Sequence, residues 1–132
     1  MADDKAATAA ESSICFTWGH YFPGREKPGM ECFELARDFF DNLPRGTITN
    51  LMIGLATQGN FTNFSGYLVA QGPSTKIMPL LSDTGFLDIV SQARHSMHNF
   101  SVVLCDAGDV KTTERKDRYG RTAGKIPFPS YP

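Results

Sequence analysis

No charge of one sign dominates this chain. Its 13 lysines and arginines stand against 14 aspartates and glutamates, a net charge of -1 at pH 7, so no global field recruits nucleic acid or an anionic membrane. No apolar run approaches the length of a membrane span, and Asp3 and Asp4 occupy the place where a signal peptide carries lysine or arginine. The expectation is a cytoplasmic protein with no membrane partner. Cysteine is scarce as well. Cys15, Cys32 and Cys105 are an odd number, far apart and without a CxxC, which reads as three reduced, mostly buried thiols. Without a secretion signal, the Asn-x-Ser/Thr matches at Asn60, Asn63 and Asn99 carry no meaning.

What is present is ordinary globular composition, 41% hydrophobic and 20% charged over 132 residues, which excludes disorder and favours one domain. A chain of this length buries roughly two-thirds of its unfolded surface and needs no disulfide or metal to fold. The stretch Ile14 to Phe22 organises the rest. With a period of two it sets Ile14, Phe16, Trp18, His20 and Phe22 on one face and Cys15, Thr17, Gly19 and Tyr21 on the other. Neither face carries a full charge, so this strand belongs in the middle of a sheet covered on both sides.

The remaining elements follow by periodicity. Residues 1–12 read as a flexible leader without a packing face, and Pro23 to Gly29 as a loop long enough to lean over one end of the sheet. Met30 to Leu43 switches to helical spacing, with Cys32, Ala36, Phe39, Phe40 and Leu43 on one side. Thr47 to Thr57 and Phe64 to Gln71 are strands joined as a hairpin. Ser82-Asp83-Thr84 caps a helix running to about Asn99, and Ser101 to Asp106 is the last strand. Residues 13–109 thus form one α+β domain, and residues 110–132 a basic, proline-containing arm.

Strand, helix, strand, strand, helix, strand is the ferredoxin-like order, a four-stranded antiparallel sheet with two helices on one face. Both faces look apolar. Ile14, Phe16 and Trp18 are expected on one side, and Tyr21, Leu51, Ile53, Leu55, Val102 and Leu104 on the other. The uncovered side then needs a partner, and a second copy of the chain is the economical one.

In this order, in size and in the runs Ser65-Gly66-Tyr67-Leu68-Val69 and Phe86-Leu87-Asp88-Ile89-Val90, residues 13–107 resemble the dimeric α+β barrel superfamily. The resemblance implies a homodimer with a small-molecule cavity between sheet and helices. It leaves the chemistry open, since the superfamily includes monooxygenases, haem-degrading enzymes, cyclases and isomerases.

Candidate site residues are few. His20, beside the Gly/Pro-rich loop, is the one placed to act as acid/base; its plainer reading is a histidine at the rim. Trp18, Asn50 and Tyr67 are polar-capable groups in apolar strands and are expected to shape a ligand pocket; the plainer reading is a core tryptophan, an asparagine bonded to a neighbouring strand or a buried water, and a tyrosine whose hydroxyl finds a partner. His95 and His98 lack further ligands for zinc and suit a helix C-terminus electrostatically. No cysteine has a cation beside it to lower its pKa, so cysteine nucleophilic catalysis is rejected.

The span Lys111 to Lys125 holds six positive and two negative residues, read as a solvated, partner-clasping arm. The third strand lacks the basic first residue and the last aromatic of an RNA-recognition strand, so nucleic acid is not an expected partner. Two functions stand at this point. One is a small apolar-ligand binder, with a cofactor-light monooxygenase or isomerase as its catalytic form. The other is a non-catalytic interaction protein whose apolar face serves dimerisation. No cofactor is specified.

Overall fold

The computed structural model describes residues 10–125; residues 1–9 of the leader and 126–132 of the arm, with its Pro-Phe-Pro, lie outside them. Four strands, β1 (Glu11–Trp18), β2 (Asn50–Leu55), β3 (Gly66–Pro73) and β4 (Ser101–Ala107), form one antiparallel sheet in the order β2-β3-β1-β4. Helix α1 (Glu26–Asp41) joins β1 to β2. Between β3 and β4 the chain passes through a short helix α2 (Ser74–Ile77), a 3-10 turn (Met78–Ser82) and helix α3 (Thr84–Ser96). Asp83 caps α3 by accepting from the Phe86 amide at 3.2 Å, as the Ser-Asp-Thr sequence anticipates.

α1 and α3 pack on each other and on one face of the sheet. Phe16 is the hub of that layer, its ring 6.0 Å from Phe40 of α1, 5.7 Å from Phe86 of α3 and 5.6 Å from Phe100. Ile14, Phe16, Leu68 and Ala70 are at most 3% exposed.

Register corrects the expected division of the two faces. Leu51 stands opposite Ala70 and Ala70 opposite Ile14, while Ile53, Leu68, Phe16 and Val102 form the next row. The two apolar sets assigned to opposite sides therefore share the helix-covered side. The open side is built from Cys15, Thr17, Met52, Tyr67, Val69, Val103 and Cys105. Alternation gives each strand two faces, but which faces coincide depends on pairing, and a slip of one residue exchanges them.

Three boundaries also move. β1 stops at Trp18, and residues Gly19 to Phe22 leave the sheet to bond the end of α3: Gly19 N–H to His98 C=O at 2.7 Å, His98 N–H to His20 C=O at 2.7 Å, Phe22 N–H to Ser96 C=O at 2.8 Å. α1 begins at Glu26, because Pro28 is tolerated in a first turn whose amides have no intrahelical partner. The loop expected over the sheet end is correspondingly shorter. Finally, Asp109–Ala123 forms a helix, α4, within what the sequence reads as a solvated arm. It carries no apolar stripe to reveal it; Glu, Lys and Arg favour helix by intrinsic propensity, and Arg115 anchors it to Asp106 of β4.

Candidate functional site

Between sheet and helices lies a cavity whose wall is almost wholly apolar. Phe16 and Trp18 enter it from β1, Cys32 and Phe33 from α1, and Ala93 from α3, with Tyr21 and Met97 closing one end. Trp18 is 6% exposed and meets Phe33 edge-on at 5.8 Å. Two glycines make room. A Cβ on Gly66, across the ladder from Trp18, would collide with the indole, and one on Gly29 of α1 would overlap the edge of the Tyr21 ring. The free space is about 20 Å³, room for about one water.

The cavity's polar-capable groups are held neutral. Burial pushes the Cys32 thiol up to about 11, and it donates to the Ile89 carbonyl at 3.4 Å. Burial, and then proximity to Cys32, also raises Tyr21. A protonated thiol and a phenol supply hydrogen bonds rather than a nucleophile. Desolvation thus counts against Cys32 as a nucleophile, beside the lack of a neighbouring cation.

Of the four residues singled out from the sequence, Trp18 alone lines this cavity. His20 is exposed on the segment after β1, its ring 6.3 Å from Phe61. Asn50 is exposed at the start of β2, opposite Gln71 and at the far end of the sheet from Trp18. Tyr67 lies on the open face, 37% exposed, stacked 6.4 Å from Phe64. The four do not converge. Tyr21, Cys32, Phe33 and Met97 went unassigned to a site because helical and strand periodicity marks them as core and says nothing about a gap between them. His98 follows α3 and packs 4.3 Å from Phe22. No group of three or more His, Cys, Asp or Glu side chains is arranged to hold a metal among the described residues, and no described helix is long and apolar enough to cross a membrane.

The open face is the other candidate surface. Along its rows, Met52 lies beside Val69, Val69 beside Cys15 and Cys15 beside Val103, with Tyr67 beside Thr17. Met52 and Val103 are 45% and 48% exposed. Single-stranded RNA is bound on such sheets by stacking on aromatic side chains of the central strands. Here β1 offers Ser13, Cys15 and Thr17, and Tyr67 of β3 is the sole aromatic within the strands on that side.

No family model and no curated protein matches the sequence. Solved structures do. A dimeric ferredoxin-like protein of unknown function from Jannaschia sp. CCS1 superposes with a TM-score of 0.57 at 10% identity, covering 75% of this chain and 99% of that one. The fold is ferredoxin-like. A second dimeric protein of unknown function with the ferredoxin-like fold, from Bacteroides fragilis NCTC 9343, gives 0.51 at 8% identity over 74% and 96% of the two chains. SnoaB, a cofactor-independent oxygenase from Streptomyces nogalater, gives 0.56 at 16% identity over 77% and 96%. The ferredoxin-like architecture expected from the element order is thus the one adopted. At these identities the likeness concerns fold alone.

Proposed function

We propose that the chain acts as a homodimer paired through its open sheet face, each subunit taking a small, mostly apolar ligand in the Trp18 cavity. The pairing is carried by the uncovered row of Met52, Val69, Cys15 and Val103, whose burial gains roughly 25 cal/mol per Å² of apolar surface removed from water. Two solved neighbours titled dimeric and ferredoxin-like support it. The ligand part rests on an apolar cavity flanked by a thiol, a phenol and an indole. With space for about one water, the site opens only as Tyr21 and the half-buried Phe33 move aside.

A catalytic form of this reading, a cofactor-light monooxygenase or isomerase, finds support in the SnoaB likeness. It would use His20 as acid/base on a ligand extending out past Tyr21, with Asn50 and Tyr67 outside the reacting pocket. The small free volume favours the second reading, an interaction protein whose interior serves packing alone.

Trp18 is the one tryptophan in the chain, so its fluorescence reports the cavity directly. Titration with cyclohexanol and toluene, excited where only the Trp18 indole absorbs, is expected to give a saturable change in Trp18 emission, reduced in Ala93→Leu, which fills the space. No saturable change with either probe would leave the interaction protein as the function.

A further inference from the structure

Two of the three cysteines meet on the open face. Cys15 of β1 and Cys105 of the edge strand β4, 90 residues apart in sequence, bring their sulfur atoms to 3.8 Å. They are diagonal neighbours: Cys15 stands opposite Val103, and Cys105 opposite Ser13, whose hydroxyl is 3.8 Å from the Cys15 sulfur. Both thiols are half-buried and free, whereas Cys32 is buried on the other side of the sheet.

We propose that Cys15 and Cys105 form a reversible dithiol–disulfide couple, a modification site at which a low-molecular-weight disulfide ties β4 to β1. A thiolate of one cysteine attacks the small disulfide, giving a mixed disulfide and releasing one small thiolate. The neighbouring cysteine, losing its proton, then attacks the protein sulfur of that mixed bond and expels the second small thiolate. The chain loses two protons and two electrons, and the small disulfide becomes two thiols.

Geometry favours closure over a lasting adduct, because the second sulfur already stands in van der Waals contact with the first. Closing the gap from 3.8 Å to a bond of about 2.05 Å needs side-chain rotation and some approach of the strands. β4 can supply that approach, since it is an edge strand with β1 as its only ladder partner. A bridge that has to draw two strands together is held under tension, and disulfides so held are the easily reduced ones. Burial and the adjacent Cys15 also raise the Cys105 thiol, so exchange is slow at neutral pH. A metal reading lacks ligands, as no third His, Cys, Asp or Glu joins the pair among the described residues.

The test uses the reduced full-length chain, incubated with oxidised glutathione, quenched with acid, alkylated after unfolding and weighed intact. The expected product weighs the reduced chain less two hydrogens plus one alkyl group, borne by Cys32, carries a Cys15–Cys105 linked peptide and reverts with dithiothreitol. In the Cys105→Ser variant, Cys15 is expected to retain the glutathione adduct, roughly tenfold more than in the wild type. Two results would overturn the proposal: both thiols remaining alkylatable in excess oxidant, or wild-type chains accumulating the adduct as the variant does. The incubation is run at high dilution, where a second copy no longer covers the open face, and the readout is a chain mass, independent of whether the cavity binds a ligand.

Discussion

The two faces of the sheet are made by the same strands and end in opposite states. On the helix side β1 contributes Ile14, Phe16 and Trp18, all nearly excluded from water; on the other it contributes the half-buried Cys15 and Thr17, with only Ser13 buried. Size separates them more than polarity does. The helix side uses large carbon side chains that interdigitate with Phe40 and Phe86, while the open side is low in the middle and rimmed by Met52, Tyr67 and Val103. A low, weakly polar face is poorly suited to hold a helix and well suited to lie against another sheet at about 10 Å. One face is covered within the chain; the other is left open among the described residues.

That contrast can be broken most forcefully at its hub. Phe16→Ala should cost about 3–5 kcal/mol in urea unfolding, because it removes a ring packed on three others. Val103→Ala, measured at high dilution, should cost under about 1 kcal/mol. Comparable losses would mean that the open face is covered within the chain. Next in size is Gly29→Ala. In an unobstructed helix this change stabilises by roughly 0.5–1 kcal/mol, but the new methyl overlaps the Tyr21 ring, so thermal melting should show a net loss of about 1–2 kcal/mol. A gain would place the Tyr21 ring away from α1 and leave that end of the cavity open.

A smaller effect sharpens the picture of the dry side. The Cys32 thiol titrates from 9.0 when exposed and at about 11 when folded, so the folded state holds its proton longer. Its contribution to stability is full below about pH 9 and is lost as pH rises through that window toward 11. Tyr21 and Cys105 shift in the same direction, so the measurement is a difference: the wild type should lose more stability than Cys32→Ala between pH 8.5 and 10.5. Equal slopes would place the thiol in water. Smallest of all is Arg115→Ala. Its pair with Asp106 has an arginine 71% exposed, so unfolding should change by under about 0.5 kcal/mol. A larger loss would make α4 part of the core rather than an appendage.

The sequence made some of this legible and hid the rest for physical reasons. Strand and helix order, the hairpin and the Asp83 cap are local properties, written in periods of two and 3.6 and in capping chemistry, and they agree with the structure. Trp18 as a cavity residue follows from a large aromatic flanked by apolar neighbours. Register is not local. Placing Leu51 and Ile14 on one side required knowing that both pair through Ala70 of β3. The same limit separated His20, Asn50 and Tyr67 from Trp18, since a strand that ends at Trp18 rather than Phe22 turns an inward histidine outward. The Cys15–Cys105 pair was invisible for that reason too: 90 residues lie between the two, and nothing near either sequence position mentions the other. α4 escaped because hydrophobic periodicity cannot report a helix that buries no stripe.

Sedimentation equilibrium of the full chain at micromolar concentration tests the central claim, that the open face is an unfinished surface awaiting a second copy. The account predicts a species of twice 14.5 kDa that dissociates on dilution. A single 14.5 kDa species across the whole concentration range would contradict it.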